Sequence, residues 1–226
     1  MQITSIEILN IRILEPVTLL TDVFTATLSF FLFYKLYQGQ KRSHSSKTWS
    51  VFFLFFGIST FFSGFAHGFM DYSGKLFLYF AWVLGCIGVY AMELSSSSLI
   101  KRKKLRILVN YLIFLKLLIT TAIIFFFGNF LAVTLSSALG LLVLKLSIRI
   151  VNYYRYRESF DKYIIIGIAV STAPALIHTL RLSISEWFNH KDLSHLILAI
   201  SILFFYKGAV LEFQKNTEEE LELTPA

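Results

Sequence analysis

Apolar residues run along this chain in blocks of roughly 20, the length at which a helix crosses the hydrocarbon of a bilayer. Short clusters of charge, glycine and serine separate the blocks. Seven blocks predict seven helices: about Pro16–Tyr37, Thr48–Met70, Leu76–Ile100, Ile107–Phe127, a fifth from after Gly128-Asn129 to near Val151, Lys162–Ser183 and Asp192–Phe213. The pattern predicts an all-α membrane protein folded as a seven-transmembrane-helix bundle. Residues 1–15 alternate Ile and Leu with Glu7, Asn10 and Arg12, which suits a short interfacial segment and not a cleavable leader. Residues 16–213 form the helical domain, and 214–226 an acidic tail expected to be disordered or loosely docked. No internal repeat supports an inverted-repeat transporter.

Composition agrees with the pattern. The chain is 56% hydrophobic and only 15% charged, against about 45–50% and about 25% in soluble domains. Its net charge of +7 is not a nucleic-acid signal. The cations lie between blocks one and two (Lys35, Lys41, Arg42, Lys47), three and four (Lys101 to Arg106), and five and six (Arg149, Arg155, Arg157, Lys162). The opposite side has only Arg12, Lys75, Arg181 and Lys191. The positive-inside rule then puts the N-terminus outside and the C-terminus in the cytoplasm. An integral, multi-pass protein of a plasma or inner membrane follows, with lipid as its first partner and no nucleic acid. Cys86 is the single cysteine, which excludes an internal disulfide and a thiolate cluster.

Polar faces interrupt the blocks. Helix one carries Glu15, Thr18, Asp22, Thr25 and Ser29 at spacings of three and four, one stripe on a helix. Helix two carries Thr60, Ser63, His67 and Asp71; helix six Ser171, His178 and Arg181 beyond Pro174; helix seven Asp192 and His195. Three of the five histidines and several carboxylates thus fall in the outer half, where unpaired polar groups are costly. His67, His178 and His195 with one of Asp22, Asp71 or Asp192 would supply a zinc site, since catalytic zinc takes three protein ligands and a water. Each has a plainer reading. An intramembrane histidine can serve as an interhelical hydrogen-bond donor, Asp22 can pair with Arg181, and Arg181 and Lys191 can snorkel to the interface. A second cluster on helix three (Tyr79, Trp82, Cys86, Tyr90, Glu93) points to an ion pair of Glu93 with Lys116 or Lys207.

Ser63-x-x-x-His67 at the outer end of helix two, with His195 at the start of helix seven, resembles the CREST superfamily of alkaline ceramidases, progestin and adipoQ receptors and related membrane hydrolases. Glu15 with Thr21-Asp22 looks like the acidic element on helix one of the ceramidases. Lys191, flanked by His190 and Asp192, stands where that family has the first histidine of a His-x-x-x-His. The resemblance implies an intramembrane zinc held by histidines beside an Asp and a Ser, and hydrolysis of lipid amides. On that reading His67 and His195 are ligands, completed by Asp192 or His178. Ser63 orients water or stabilises an oxyanion, and Asp71 or Asp22 is the general base. The rival expectation is a non-enzymatic sensor or receptor that binds a small ligand in the same pocket. A proton-coupled carrier using Asp22, His67 and Glu93 meets an apolar inner half on helices two and six (Val51 to Gly57, Tyr163 to Val170).

Overall fold

The computed structural model describes the backbone of residues 4–38 and 44–223 and the side chains of 4–38 and 47–218. Lys41, Arg42, the His44 side chain and the last three residues of the acidic tail lie outside them. A hairpin of β1 (Ser5–Ile8) and β2 (Ile11–Leu14) precedes α1 (Pro16–Gln38), α2 (His44–Gly68) and the single turn α3 (Met70–Ser73). Then come α4 (Leu76–Ser97), α5 (Lys103–Phe127), α6 (Phe130–Ala138), α7 (Leu146–Tyr156), α8 (Ser159–Leu180) and α9 (His190–Leu223). The π-helical stretch Leu139–Lys145 joins α6 to α7, making one long span of Phe130–Tyr156.

Among the described residues, seven helices are thus long and apolar enough to cross a membrane, in the order the hydrophobic blocks predict. No more than 44% of the most apolar stretch of any of them is buried inside the chain, and on α5 only 17% is. Leu112, Phe125, Phe126 and Phe127 of α5 face outward. Apolar surface on this scale is not stable against water, so the architecture is compatible with a multi-pass bundle in lipid.

Three details differ from the sequence expectations. The N-terminal segment is a hairpin: Leu9 and Asn10 both have positive φ (52° and 63°), the geometry of a two-residue turn that matches strand twist. The acidic tail continues α9 to Leu223. Its Glu and Leu are good helix formers and extend an existing helix without a new nucleus. The basic cluster after α4 is largely the first turn of α5.

Helices α1, α2 and α4 pack side by side, α8 pairs with α9, and α1 against α9 closes the bundle. In lipid, helices associate through close packing and polar bonds. Ser29 donates to the Phe53 carbonyl (2.7 Å), Ser59 to that of Ala81 (2.7 Å) and Ser201 to that of Gly167 (2.8 Å), each across a helix interface. At Gly64 a Cβ would stand 2.9 Å from the Asp22 Cβ and 3.3 Å from the Leu19 carbonyl. Only glycine allows α1 this close, and the approach sets Asp22 beside the His67 face of α2.

The middle of the bundle is aromatic, with Trp49, Phe52, Phe53 and Phe205 in mutual ring contact. Toward the end with the basic loops sits a buried charge network. The Arg149 guanidinium donates to Asp161 (3.0 Å) and to both Glu212 oxygens (3.1 and 3.0 Å). Lys145 donates to the Met92 carbonyl (2.8 Å) and to Ser95 and Ser96, and lies 4.3 Å from the Trp49 ring centroid. Arg149, read from the sequence as an interfacial cation, is fully buried. Glu93 pairs with Lys116, which also donates to the Ser136 carbonyl (2.9 Å). Lys207, the other candidate partner, lies 4.5 Å from the Tyr163 ring.

Candidate functional site

At the opposite end of the bundle, α1, α2, α8 and α9 bring their polar faces to one cavity of about 490 Å³. Asp22, Ser63, His67, His178, Lys191 and His195 line its polar end. Phe52, Phe56, Trp82, Phe130, Leu198 and Phe205 line the rest. From His195 to Phe205 is about 15 Å along α9 at 1.5 Å per residue. The cavity is therefore a long apolar slot under a polar cap.

Two histidines share one arrangement. His67 Nδ1 lies 2.7 Å from Glu15 Oε2, and His195 Nδ1 lies 3.1 Å from Asp22 Oδ1 and 3.4 Å from Thr21 Oγ1. At His67 the carboxylate hydrogen-bonded to Nδ1 fixes the ring and leaves Nε2 as the free lone pair, as in carboxylate–histidine–metal triads; at His195 the carboxylate is near without hydrogen-bond geometry. The two rings are 6.3 Å apart between centroids. His178 lines the same cavity from α8, its ring 5.0 Å from and edge-on to that of His190.

Glu15 organises the cap. Its backbone has φ of +42°, strained for a residue with a side chain. Its Oε1 and Oε2 accept from Lys191 Nζ at 2.6 and 2.8 Å. Burial alone would raise this carboxyl, but the hydrogen bonds from His67 and Lys191 and their charge hold it down at about 2. Asp22 has the reverse situation. It is buried, with the Ser63 hydroxyl and His195 (3.1 Å) as polar neighbours, neither in well-formed hydrogen-bond geometry.

Of the seven residues the sequence nominates, the cavity gathers Asp22, Ser63, His67, His178 and His195. Asp71 lies elsewhere. Helix α2 stops at Gly68, so the four-residue register from His67 is broken, and Asp71 faces outward in α3, 3.9 Å from Arg12 of the hairpin. Asp192 is buried but occupied: it accepts from Thr18 Oγ1 (2.6 Å) and from the Asn189 backbone N–H (2.6 Å). Asn189 in turn accepts from the Lys191 N–H (2.8 Å), which makes the pair a reciprocal cap of α9. Arg181 is exposed at the end of α8 and does not pair with Asp22. The sequence reading misses Glu15 as the partner of His67 and Lys191 as a part of the cap. The three-and-four stripe that starts at Glu15 was the signal for the first.

Among the described residues, no three His, Cys, Asp or Glu side chains converge closely enough to hold a metal ion as they stand. The donor types are nevertheless ones that zinc uses: three imidazoles line one cavity, and two of them have a carboxylate beside Nδ1. Two imidazoles on one tetrahedral zinc, at about 2.1 Å per Zn–N bond, stand about 5 Å apart between centroids. His67 and His195 would close by about 1 Å to reach that.

Fold and site together define a class, the seven-helix bundles with a histidine-lined cavity at one end. Within it the chain belongs to a family of unknown function, DUF6962, whose model matches residues 17–212. No curated protein and no solved structure matches the chain.

Proposed function

We propose that this is an integral membrane protein, N-terminus outside, that takes a lipid-like amphiphile into the cavity and hydrolyses its amide or ester bond with zinc held by His67, His178 and His195. On this proposal it is a divergent member of the CREST superfamily. The observation that carries the reading is the pairing of His67 with Glu15 and His195 with Asp22 at the mouth of an apolar slot that also presents His178. A polar cap over a slot suits a ligand with one polar group and one apolar chain, and its volume lies within the range of about 300–1,000 Å³ for ligand pockets. We place the entry from the bilayer between α6 and α8, which both line the cavity and pack little on one another. They flank α7 in the chain, and substantial packing between their spans comes through α7, at the far end of the bundle.

Bound zinc would supply a water acidic enough to ionise near neutral pH. The residues divide the remaining work. Asp22 has an unengaged carboxylate oxygen and takes the proton of the attacking water. It returns that proton to the departing amine or alkoxide as the carbonyl C–N or C–O bond breaks. Ser63 donates its hydroxyl to the carbonyl oxygen as that oxygen gains negative charge. Glu15 and Lys191 hold His67 in place. The apolar lining, Phe205 included, excludes bulk water and seats the chain.

Metal analysis of the purified full chain tests this. About one zinc per chain is expected, lost in His67→Ala and in His195→Ala while both variants keep the wild-type helical signal. Stoichiometric zinc in both variants would remove the proposal.

The wide spacing of the histidines favours one rival, a metal-free receptor pocket. It requires that a medium-chain N-acyl amide raise the melting temperature equally before and after chelation. The hydrolase reading requires that chelation abolish the effect or weaken it severalfold.

A further inference from the structure

A second cavity, of about 420 Å³, opens at the basic end of the bundle between the α4–α5 connection and α7. Lys101, Arg102 and Arg155 line it, and Lys101 Nζ and the Arg155 guanidinium carbon lie 5.2 and 5.4 Å from the ring of Tyr156. No acidic residue is among the described lining. Acidic groups of α8, its N-cap and α9 are committed elsewhere: Glu158 to Lys215, Asp161 to Arg149 and Asn152, and Glu212 to Arg149 and Trp49. Three cations therefore face one pocket without a carboxylate partner among the described residues.

Depth is the second observation. Lys101 and Arg102 follow the end of α4, and Arg155 and Tyr156 end the span Phe130–Tyr156. With these spans set across a bilayer, residues at their ends stand at the level of headgroups. Val151 and Ile148 lie on the same wall, one and two turns deeper, about 6 and 10 Å at 1.5 Å per residue. The pocket is cationic at phosphate depth and apolar at acyl depth. A guanidinium matches phosphate with two parallel hydrogen bonds, and basic pockets between membrane helices suit anionic headgroups.

We propose that this pocket binds the phosphate of an anionic glycerophospholipid through Lys101, Arg102 and Arg155, with an acyl chain against Ile148 and Val151. The proposal shares with the hydrolase reading only the placement of the helices in a bilayer. A soluble phosphate compound would have no use for the apolar wall, which is why the lipid is the occupant chosen.

The test uses the full chain in uncharged detergent, followed by thermal unfolding and by native mass spectrometry. Added phosphatidylglycerol should raise the melting temperature and give one retained lipid adduct; phosphatidylcholine should do neither. In Lys101→Gln/Arg102→Gln/Arg155→Gln the adduct should fall at least fivefold, and in Arg155→Gln alone at least twofold. Lys103→Gln/Lys104→Gln/Arg106→Gln removes equal charge from neighbours that do not line the pocket, and should leave the adduct within twofold of wild type. Equal losses in both triple variants would mean diffuse attraction, and undiminished binding in the pocket variants a different site; either overturns the proposal. So would equal protection by inorganic phosphate or glycerol 3-phosphate, which would make the ligand a free phosphate.

Discussion

At Glu15 the chain turns through a left-handed backbone so that one carboxylate reaches both His67 and Lys191. Its pKa of about 2 lies below the usual 4.5, so the fold prefers the ionised form. The sign follows from linkage: its stabilisation is complete above about pH 4.5 and is lost as pH falls toward 2. A shift of that size corresponds to at most about 3 kcal/mol. Glu15→Gln should lower stability at pH 7 by about 1–3 kcal/mol and flatten the fall between pH 5 and pH 2.5. Thermal unfolding in detergent across that range checks it, and parallel curves for wild type and variant would refute it. Asp192 separates capping from ligation. Asp192→Ala should cost about 0.5–2 kcal/mol as a lost helix cap and leave zinc content unchanged; loss of zinc in a folded variant would make it a ligand after all.

The helices owe their relative positions to a few close approaches. In the fifth span the π-helical stretch begins at Leu139, and a Cβ on Gly140 would stand 1.7 Å from Glu93 Oε1. Gly140→Ala must displace the carboxylate from Lys116 or part α4 from the π-helical stretch. Overpacking of this kind costs about 1–3 kcal/mol, so the melting temperature should drop, whereas no change would show that the contact yields freely. The sequence predicts the seven spans because a 20-residue apolar block is a signal carried by the block itself. The π-helical stretch is invisible in it, since Leu139–Lys145 reads as ordinary helix. So is the hairpin, whose strands are four residues each, and whose turn depends on a strained Leu9.

Across the whole molecule two polar centres stand at opposite ends of an aromatic middle. The histidine-lined one was legible, because histidines and carboxylates at helical spacing inside apolar blocks stand out. Of the one at the basic end, only the pairing of Glu93 with Lys116 was legible. Arg149 sits where positive-inside counting expects a surface cation, and only tertiary packing reveals that Asp161 and Glu212 pair with it in the interior, beside a Lys145 held by the Met92 carbonyl, Ser95 and Ser96. Removing one partner of a buried pair leaves a charge uncompensated, at about 3–5 kcal/mol. Arg149→Met should therefore unfold far below wild type, and Glu212→Gln should be milder because Gln can still accept from Trp49. Equal melting temperatures for wild type and Arg149→Met would contradict the role given to this network. Asp71 marks the limit of periodicity in the other direction: the four-residue rule holds only while the helix lasts, and α2 ends three residues too early. A hydrolase of this kind requires that His67, His178 and His195 hold one metal. X-ray absorption at the zinc edge of the purified chain measures that most directly. It should give about three nitrogen scatterers at about 2.0–2.1 Å. The absence of a zinc edge, or a sulfur shell at about 2.3 Å implicating Cys86, would contradict it.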